Sequence, residues 1–458
     1  MLELHGLNMV FKLPPYEPST IGFGADDAAF LARNGFTVVR LGVIYGAVEP
    51  APGVYDDAYL DNIAATVAEL GAQGIYTLLD FHQDQYNERF HGEGFPDWAV
   101  QDDGLPNTPD RGFPGNYTAM PALEHAFDHL WADSPGPGGV GLQERYAAAW
   151  AHVAARFAAN EHVIGYDLFN EPWPGSSWPS CITASGCPAF EAQLGALESK
   201  VIAAIRGVDP EHVVWYEPDG SFNLGQAETQ LPDFGDSAAG MSFHDYCSST
   251  VAAACRAPEQ AVISNALKRS KKTGDALFLT EFGATADTGT LTRVAGDADA
   301  ARLPWIEWAY CGCSDPTTSA IPASKQALVL DPAQSPQGPN VVKRTLKALA
   351  RPYPLALAGT PVGFGFSAGK RVFHLKYSTT RAGGHKRFGA GSCSAVVLPA
   401  VQYPHGYTVR VRGARVISRR GSGVLELSSR ARAKKVSVTV KPAKRGHTSA
   451  PKLTSICR

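Results

Sequence analysis

The sequence predicts a (β/α)8 TIM barrel over residues 1–351, followed by a small antiparallel β-sandwich over residues 352–458. Apolar runs alternate with amphipathic stretches through the first 350 residues. Short alternating segments separated by glycine-rich turns replace them after Arg351-Pro352-Tyr353-Pro354, and the charge changes sign there. A doubly wound open sheet is the alternative. It is disfavoured because His5-Gly6-Leu7-Asn8, in the first strand, leads into no glycine-rich phosphate loop.

Eight apolar runs are the predicted barrel strands. Most of them are nearly continuous, which is typical of parallel strands buried on both faces. The predicted strands are Leu4–Val10, Thr37–Leu41, Ile75–Phe81, Ile164–Phe169, His212–Tyr216, Met241–His244, Ala276–Thr280 and Pro304–Ala309.

Amphipathic stretches between these runs are the predicted helices. In the third of them Tyr146, Trp150, Val153 and Phe157 recur at helical spacing. The predicted helices are Asp27–Asn34, Asp57–Leu70, Gln143–Asn160, Glu191–Arg206, Pro258–Lys271 and Val341–Ala350.

One connection is much longer than the others. It runs from about residue 87 to 141, after the third strand, and is rich in Gly, Pro and aromatic residues. Loops of this length are usually functional, and the many large apolar side chains favour an ordered, packed segment over a disordered one. We therefore expect a lid above the mouth of the barrel.

The C-terminal part has short strands and a strong positive charge. The predicted strands are Val372–Tyr377, Ala395–Leu398, Tyr407–Val411, Val416–Ser418, Gly423–Leu427 and Val436–Val440. From residue 352 onward there are 20 Lys and Arg residues and one acid, Glu426, whereas the rest of the chain has 21 basic and 43 acidic residues. The two parts are therefore physically different.

Three readings of the basic charge are open. We expect this domain to dock on the acidic barrel, and its charge also suits an anionic membrane or micelle surface. A merely solvated basic face is the third reading. Nucleic-acid binding is disfavoured, because the basic residues are spread over strands without a recognition motif.

Eight cysteines indicate an oxidising compartment. No pair has the spacing of a zinc site, so disulfides are the better interpretation. The sequence does not fix the pairing, but neighbouring positions suggest Cys181–Cys187 and Cys247–Cys255, with Cys393–Cys457 in the C-terminal part. Pairing Cys311 with Cys313 would strain bridge geometry. We expect a secreted, extracellular monomer. No signal peptide is visible, because the chain opens directly on a strand-like segment, so either it was removed or the start is mis-assigned.

Two glutamates follow predicted strands and indicate catalysis. Glu171 ends the fourth strand in Asn170-Glu171-Pro172, and Glu281 ends the seventh in Thr280-Glu281-Phe282. Carboxyl ends of parallel barrel strands surround one cavity, where catalytic groups lie. Paired carboxylates are what glycosidic cleavage needs, one as the acid and the other as a nucleophile or base. A capping or salt-bridged Glu is the alternative for Glu171, and the second Glu disfavours it.

Other strand ends supply polar and aromatic neighbours. Arg40 follows the second strand, and an arginine beside a nucleophilic carboxylate lowers its pKa. His82 follows the third strand, His244 and Tyr246 lie at the end of the sixth, and Trp308 lies on the eighth.

These residues, in this order, resemble the family 5 glycoside hydrolases of clan A. The resemblance covers roughly residues 4–350. It implies retention of configuration, with Glu171 as acid/base and Glu281 as nucleophile. It further implies that Asn170 binds the sugar 2-hydroxyl, Arg40 and Tyr246 hold Glu281, and His82, His244 and Trp308 line the catalytic subsite. For retention, the carboxyl groups should lie ~5–5.5 Å apart.

More detail resembles the endoglycoceramidases, which cut between the glycan and the ceramide of glycosphingolipids. The segments that resemble them begin at Leu4-His5-Gly6, Arg40-Leu41-Gly42, Asp80-Phe81-His82 and Asn170-Glu171-Pro172, and the β-sandwich also fits. By this resemblance Lys12 and Asp84 contact the sugar. One departure is Glu307, where an apolar or aromatic residue is expected.

A lipid substrate agrees with the aromatic content near the site. A ceramide leaving group needs an apolar trough beside the acid, and Trp173, Trp178 and the long insertion could build it; the alternative is that they only pack the lid. No metal site or cofactor is expected, because His125 and His129 lack a third ligand nearby. The open alternatives are an endo-β-glucanase or mannanase, a β-glucosidase for lipid-linked glucose, and a non-catalytic glycolipid-binding protein.

Overall fold

In the computed structural model, which describes residues 2–183, 185–247 and 252–457, eight parallel strands close into a barrel in chain order. They are β1 His5–Met9, β2 Val38–Val43, β3 Tyr76–Phe81, β4 Val163–Asp167, β5 Val213–Tyr216, β6 Ala239–Asp245, β7 Ala276–Phe282 and β8 Trp305–Glu307. The predicted barrel is confirmed, and each strand overlaps its predicted range. Trp308 lies just beyond β8 rather than inside it.

Ten α-helices lie between or after the strands among the described residues. They are α1 Ala25–Asn34, α2 Tyr45–Val48, α3 Asp57–Ala72, α4 Pro121–Trp131, α5 Leu142–Phe157, α6 Trp178–Cys181, α7 Pro188–Arg206, α8 Ala252–Thr273, α9 Thr288–Ala301 and α10 Lys343–Leu349. No helix of the described ranges is long and apolar enough to cross a bilayer.

Helix α5 fixes the chain just before the predicted acid. Its Tyr146 hydroxyl and Trp150 indole N–H both donate to the carbonyl of Leu168, at 2.7 and 2.9 Å. Both aromatic rings are buried against Phe81 at the end of β3. The apolar face of a helix therefore determines where Asn170 and Glu171 leave the barrel.

The long insertion is packed, as expected, but it is not free of regular structure. It contains α4, which was not predicted. Two signals mark this helix: apolar residues recur at helical spacing from Ala122 to Trp131, and Pro121 lies in the first turn, where proline is favoured. Phe90 and Phe127 are fully buried. Hydrophobic burial therefore orders this segment.

The C-terminal part consists of two four-stranded antiparallel sheets with the orders β10-β11-β16-β13 and β14-β15-β12-β9. The strands are β9 Tyr353–Ala356, β10 Thr360–Ser367, β11 Val372–Ser378, β12 Cys393–Val397, β13 Tyr407–Arg412, β14 Ala414–Val416, β15 Val424–Ser429 and β16 Lys435–Pro442. Neither β9 nor β10 was predicted from the sequence. Pro354, Pro361, Gly363 and Gly365 conceal both, since proline and glycine are depleted in strands.

This part packs on the barrel, as expected, and among the described residues the polar contacts across the boundary are hydrogen bonds rather than ion pairs. Hydrogen bonds across the boundary include Tyr353 to the Gly35 carbonyl at 2.9 Å, Gln402 to that of Ala350 at 3.0 Å, and Arg302 of the barrel to that of Val362 at 3.3 Å. No Lys or Arg between residues 352 and 457 pairs with an acid in the described structure. The basic charge is therefore left facing solvent.

Four disulfides join Cys181 to Cys187, Cys247 to Cys255, Cys311 to Cys313 and Cys393 to Cys457. The three suggested pairs are confirmed, and the close pair 311–313 is joined as well. The second bridge closes a segment that includes residues 248–251, outside the described ranges.

Candidate active site

The two glutamates meet at the carboxyl end of the barrel. One carboxylate oxygen of Glu171, one of Glu281 and a ring nitrogen of His244 all lie within 4.8 Å of one another. This proximity agrees with the short separation that a retaining glycosidase needs, ~5–5.5 Å between carboxyl groups. A single sugar carbon and its glycosidic oxygen can therefore lie between them.

Glu281 is the more deeply buried of the two, with 7% of its side chain exposed against 23% for Glu171. Arg40 Nη1 donates to its Oε1 at 2.5 Å, and the Tyr246 hydroxyl donates to its Oε2 at 2.9 Å. Burial raises the pKa of Glu281, while His244 and Arg40 oppose the rise without cancelling it. Arg40 lowers the pKa of Glu281, as expected, but desolvation outweighs the cation, so the pKa lies above its ordinary value.

Arg40 is held by a ring of acids. Its guanidinium contacts Asp80 at 2.9 Å, Asp167 at 2.8 Å and Glu217 at 3.3 Å, besides Glu281. The side chain is fully buried. A planar guanidinium with five donors suits several carboxylates at once, so this network fixes the orientation of Glu281.

Glu171 faces His244 and Asn223. Its Oε1 lies 2.7 Å from Nδ1 of His244 and accepts from Nδ2 of Asn223 at 3.1 Å. Burial would lower the pKa of His244, but Glu217 and Glu281 beside it raise that pKa well above its ordinary value. The partly open Glu171 can exchange protons with water, as an acid/base must.

Asn170 is tied to both sides of the cleft. Its Oδ1 accepts from Arg40 at 3.0 Å, and its Nδ2 donates to the carbonyl of Gln83 at 3.0 Å. Gln83 in turn donates to the Asn170 carbonyl at 2.8 Å. The amide is therefore fixed beside the two glutamates, where the resemblance expects it.

Four of the predicted sugar-contact residues form a second buried cluster. The Lys12 ammonium bonds to Asp84, lies 4.4 Å from the ring centroid of Trp308, and is 2.9 Å from Thr317 Oγ1. The His82 ring stacks on Trp308 with centroids 5.3 Å apart. The cluster combines charged groups with an aromatic ring, a combination suited to hydroxyls and to the apolar face of a sugar.

Charge in this cluster is balanced around Lys12. Burial alone would raise the pKa of Asp84, but Lys12 and His82 hold it below the ordinary value. Burial would lower the pKa of His82, yet Asp80 and Asp84 raise it to about 9. His82, Asp84 and Glu93 have ligand atoms close enough for a metal ion, but the Lys12 ammonium lies 3.9 Å from Glu93 and beside Asp84 and supplies the positive charge itself.

Trp173 links the strand-4 loop to the insertion. Its indole N–H donates to the carbonyl of Tyr117 at 2.9 Å, and the two rings lie 5.2 Å apart. Trp178 bonds to Glu124 of α4 at 3.0 Å. These aromatics hold the insertion against the barrel and also leave Trp173 half-buried at the edge of the site.

Sequence reasoning missed Glu217 and Asn223 and did not single out Asp80 and Asp167. Glu217 follows β5 directly in Tyr216-Glu217-Pro218, so the strand-end rule that found Glu171 could have found it. Asn223 lies in a loop, and no pattern marks it. Glu307, noted as unusual, is fully buried and its carboxylate has no hydrogen-bond partner within the described ranges. Its side chain lies beside Gly283, and its charge contributes to the raised pKa of Tyr246.

Comparison with known proteins gives matches along nearly the whole chain. The family model for cellulase, glycosyl hydrolase family 5, matches residues 24–314, and that for the glycoside hydrolase family 5 C-terminal domain matches residues 351–441. Endoglycoceramidase I of Rhodococcus hoagii is 30% identical over 438 residues, which is 92% of this chain and 81% of the relative.

Two solved structures of endo-glycoceramidase II from Rhodococcus sp. resemble the fold closely. The lactosyl-enzyme intermediate has a TM-score of 0.79 at 29% identity. The ganglioside GM3 complex has a TM-score of 0.75 at 28% identity. In both cases the similarity covers 96% of this chain and 97% of the solved one.

Proposed function

The chain belongs to glycoside hydrolase family 5, and from that premise we propose that it cleaves the bond between glycan and ceramide in glycosphingolipids. The observation that carries the proposal is the pair of strand-end glutamates, with oxygens within 4.8 Å, in a barrel that matches endoglycoceramidases over nearly its full length. One of those relatives has been solved as a lactosyl-enzyme intermediate and in complex with a ganglioside.

The chemistry is a double displacement. Glu281 attacks the anomeric carbon while Glu171 gives its proton to the glycosidic oxygen, so that ceramide leaves as an alcohol. Glu171 then removes a proton from water, which attacks the glycosyl-enzyme ester and releases the glycan with its configuration retained. Arg40 and Tyr246 support these roles, since both hold the oxygens of Glu281.

Positions around the two glutamates suggest how the substrate is held. Asn170 binds the sugar 2-hydroxyl beside the nucleophile, and His82, His244 and Trp308 line the same subsite. Lys12 and Asp84 contact the sugar, and Trp173 forms part of the wall that receives ceramide. Burial, ion pairing and aromatic stacking in the cluster of Lys12 and Trp308 support this arrangement.

We further propose that the protein is extracellular and that its basic C-terminal domain contacts an anionic lipid surface. Four disulfides favour an oxidising, extracellular compartment. The basic C-terminal domain, without ion pairs in its described residues, favours contact with anionic lipid. A monomer is the proposed state.

Substrate class is tested by incubating the protein with lactosylceramide, glucosylceramide, a galactosylceramide, carboxymethyl cellulose and mannan. Release of free ceramide and of intact lactose from the first substrate is the expected result. Turnover of a polysaccharide without any glycolipid would instead indicate an endoglucanase or mannanase. Cleavage of glucosylceramide alone would indicate a glucosidase, and binding without turnover a glycolipid-binding protein.

Two substitutions separate the roles of the glutamates. Glu281→Gln should abolish turnover of every substrate, because the nucleophile is lost. Glu171→Gln should lower kcat/KM for glycolipid by about 10²- to 10⁴-fold, but only slightly for a 2,4-dinitrophenyl lactoside, whose leaving group needs no proton. Steady-state kinetics with both substrates measure this. Wild-type turnover by both variants would contradict the assignment.

A further inference from the structure

A third glutamate lies at the centre of the catalytic group. Glu217 follows β5 directly and is fully buried. Its Oε1 lies 3.1 Å from Nε2 of His244 and 3.3 Å from Nη2 of Arg40. Its Oε2 accepts the backbone N–H of Glu171 at 2.9 Å. One carboxylate therefore contacts the cation that holds the nucleophile, the histidine between the two catalytic groups, and the backbone of the acid/base.

The position of Glu217 decides which nitrogen of His244 carries a proton. An ionised carboxylate only accepts hydrogen bonds. The 3.1 Å contact between Nε2 and Glu217 has the distance of an ion pair without hydrogen-bond geometry. A proton on Nε2 is therefore favoured by the charge of the carboxylate beside it. The other nitrogen, Nδ1, lies 2.7 Å from Oε1 of Glu171. When Nε2 is protonated, one further proton lies between Nδ1 and Glu171. It forms a hydrogen bond between them whether it is bound to the nitrogen or to the carboxylate.

Glu217 also constrains the backbone of Glu171. That residue has φ of +45°, a left-handed conformation that non-glycine residues adopt rarely. Such conformations persist where surrounding contacts hold them. Three contacts hold Glu171 in this conformation. Its N–H donates to Glu217, its carbonyl accepts from Gln83, and Tyr146 and Trp150 of α5 donate to the nearby Leu168 carbonyl.

We propose that Glu217 is a positioning residue for the acid/base, which keeps a proton on Nε2 of His244 so that Nδ1 and Glu171 share the proton delivered to the glycosidic oxygen. The inference rests on the proposed roles of Glu171 and Glu281. The proton leaves Glu171 for the leaving group in the first displacement and is replaced from water in the second.

Removing the charge of Glu217 should change the pH dependence of catalysis. An anion close to the shared proton favours its retention, so its loss lowers the proton affinity of the Glu171–His244 pair. The alkaline limb of activity then moves to lower pH. The charged and titratable groups that face Glu217 and His244 are Arg40 from β2, Asp167 from β4, Glu171 after β4, Glu198 from α7, Tyr246 after β6 and Glu281 from β7.

The test compares Glu217→Gln, Glu217→Asp and the wild type in full pH profiles of kcat/KM. Glu217→Gln should lower kcat/KM on lactosylceramide by about 10- to 100-fold and move the alkaline limb down by about one pH unit. On 2,4-dinitrophenyl lactoside its kcat/KM should change less than about threefold. Glu217→Asp keeps the charge and should restore the limb.

A matched control is Glu191→Gln, since Glu191 is an equally buried glutamate, on α7, that bonds to Thr229 and Gln230 rather than to the site. Its pH profile should equal that of the wild type. Equal losses on both substrates by Glu217→Gln, with unchanged pH limbs, would overturn the proposal, because they would indicate a role in folding alone.

A measurement on the unmodified protein covers the case in which Glu217→Gln does not fold. In ¹⁵N-histidine NMR spectra, the ring assigned to His244 by its loss in His244→Gln should keep a protonated Nε2 across the active pH range. An unprotonated Nε2 would overturn the proposal. Cleavage of cellulose instead of glycolipid would contradict the proposed function but not the role of Glu217. That role could still be tested, because the same pH profiles can be recorded on any glycoside that the wild type cleaves.

Discussion

The different tasks that we propose for two chemically identical side chains follow from their different surroundings. Glu281 is buried, bonded to Arg40 and Tyr246, and closed to solvent, whereas Glu171 is partly exposed and shares a contact with His244. A nucleophile must be fixed and dry, and an acid/base must exchange its proton with water. Because both residues are glutamate, the difference comes from their positions: Glu281 lies on β7, and Glu171 lies beyond the end of β4.

His82 supplies a pH dependence of stability that can be measured. Its pKa is about 9 in the folded protein against 6.5 ordinarily, because Asp80 and Asp84 outweigh the effect of burial. A raised pKa means that the folded state binds the proton more tightly, so its contribution is complete below pH 6.5 and is lost as the pH rises through 9. The loss is about 3 kcal/mol.

Chemical denaturation at pH 6, 7.5 and 9.5 tests this for the wild type and His82→Gln. The difference in unfolding free energy between the two should shrink as the pH rises. His374→Gln, at an exposed position on β11, is the matched control and should follow the wild type. Parallel curves for the wild type and His82→Gln would contradict the prediction.

At the scale of elements, the loops after the strands carry the site and the helices fix them. The loop after β4 is bonded to buried structure on two sides. Helix α5 donates two hydrogen bonds to the Leu168 carbonyl, and Trp173 donates one to Tyr117. A long insertion with its own helix can therefore border the site while the positions of the site residues stay fixed. The disulfide between Cys181 and Cys187 closes the next segment of the same loop.

The disulfides should differ in what they contribute to stability. Cys181 and Cys187 are 6 positions apart, while Cys393 and Cys457 are 64 apart and fasten the C-terminal segment to β12. A longer closed loop removes more entropy from the unfolded chain. Replacing the distant pair by alanine should cost about 4 kcal/mol, and replacing the close pair about 2 kcal/mol.

Thermal unfolding of the two double-alanine variants measures the order of these costs. The close-pair variant is the control for losing a disulfide as such. An equal or larger cost for the close pair would contradict the entropic argument. Activity of the distant-pair variant should stay near that of the wild type, because neither cysteine contacts the site.

On the scale of the whole molecule, charge is divided between two bodies, and we propose the boundary at Arg351. The sheet β10-β11-β16-β13 presents one basic face to solvent. On it Lys376 lies in register with Ser437 and Arg412, and Arg410 with Thr439. No acid of the described chain neutralises these groups, which favours an anionic lipid surface as the partner.

Sedimentation with vesicles tests this face. Each basic group at an anionic surface contributes about 1 kcal/mol, so the triple variant Lys376→Gln, Arg410→Gln, Arg412→Gln should bind phosphatidylglycerol vesicles at least about 100-fold more weakly. The control is Arg381→Gln, Lys386→Gln, Arg387→Gln, the same charge change in an exposed loop of the same domain. Equal losses in both would indicate net charge alone, and no loss in either would exclude the face.

The sequence by itself determined the architecture and the reaction class. Continuous apolar runs that alternate with amphipathic helices indicate parallel strands buried on both faces, and a polar residue at the carboxyl end of such a strand lies at the barrel mouth. That reasoning found Glu171, Glu281, Arg40, His82 and Tyr246. The missed helix α4 and strand β10 show its limit, because an irregular insertion and glycine-rich strands weaken the periodic pattern.

Only the tertiary structure decided how these groups act on one another. The contacts of Glu217 with Arg40, His244 and the Glu171 backbone join three other strands, and their distances depend on barrel closure rather than on neighbours in the chain. The pKa direction of Glu281 likewise depended on how far burial outweighs Arg40. Desolvation and through-space charge act over a few ångströms in three dimensions, so residue order alone does not set their balance.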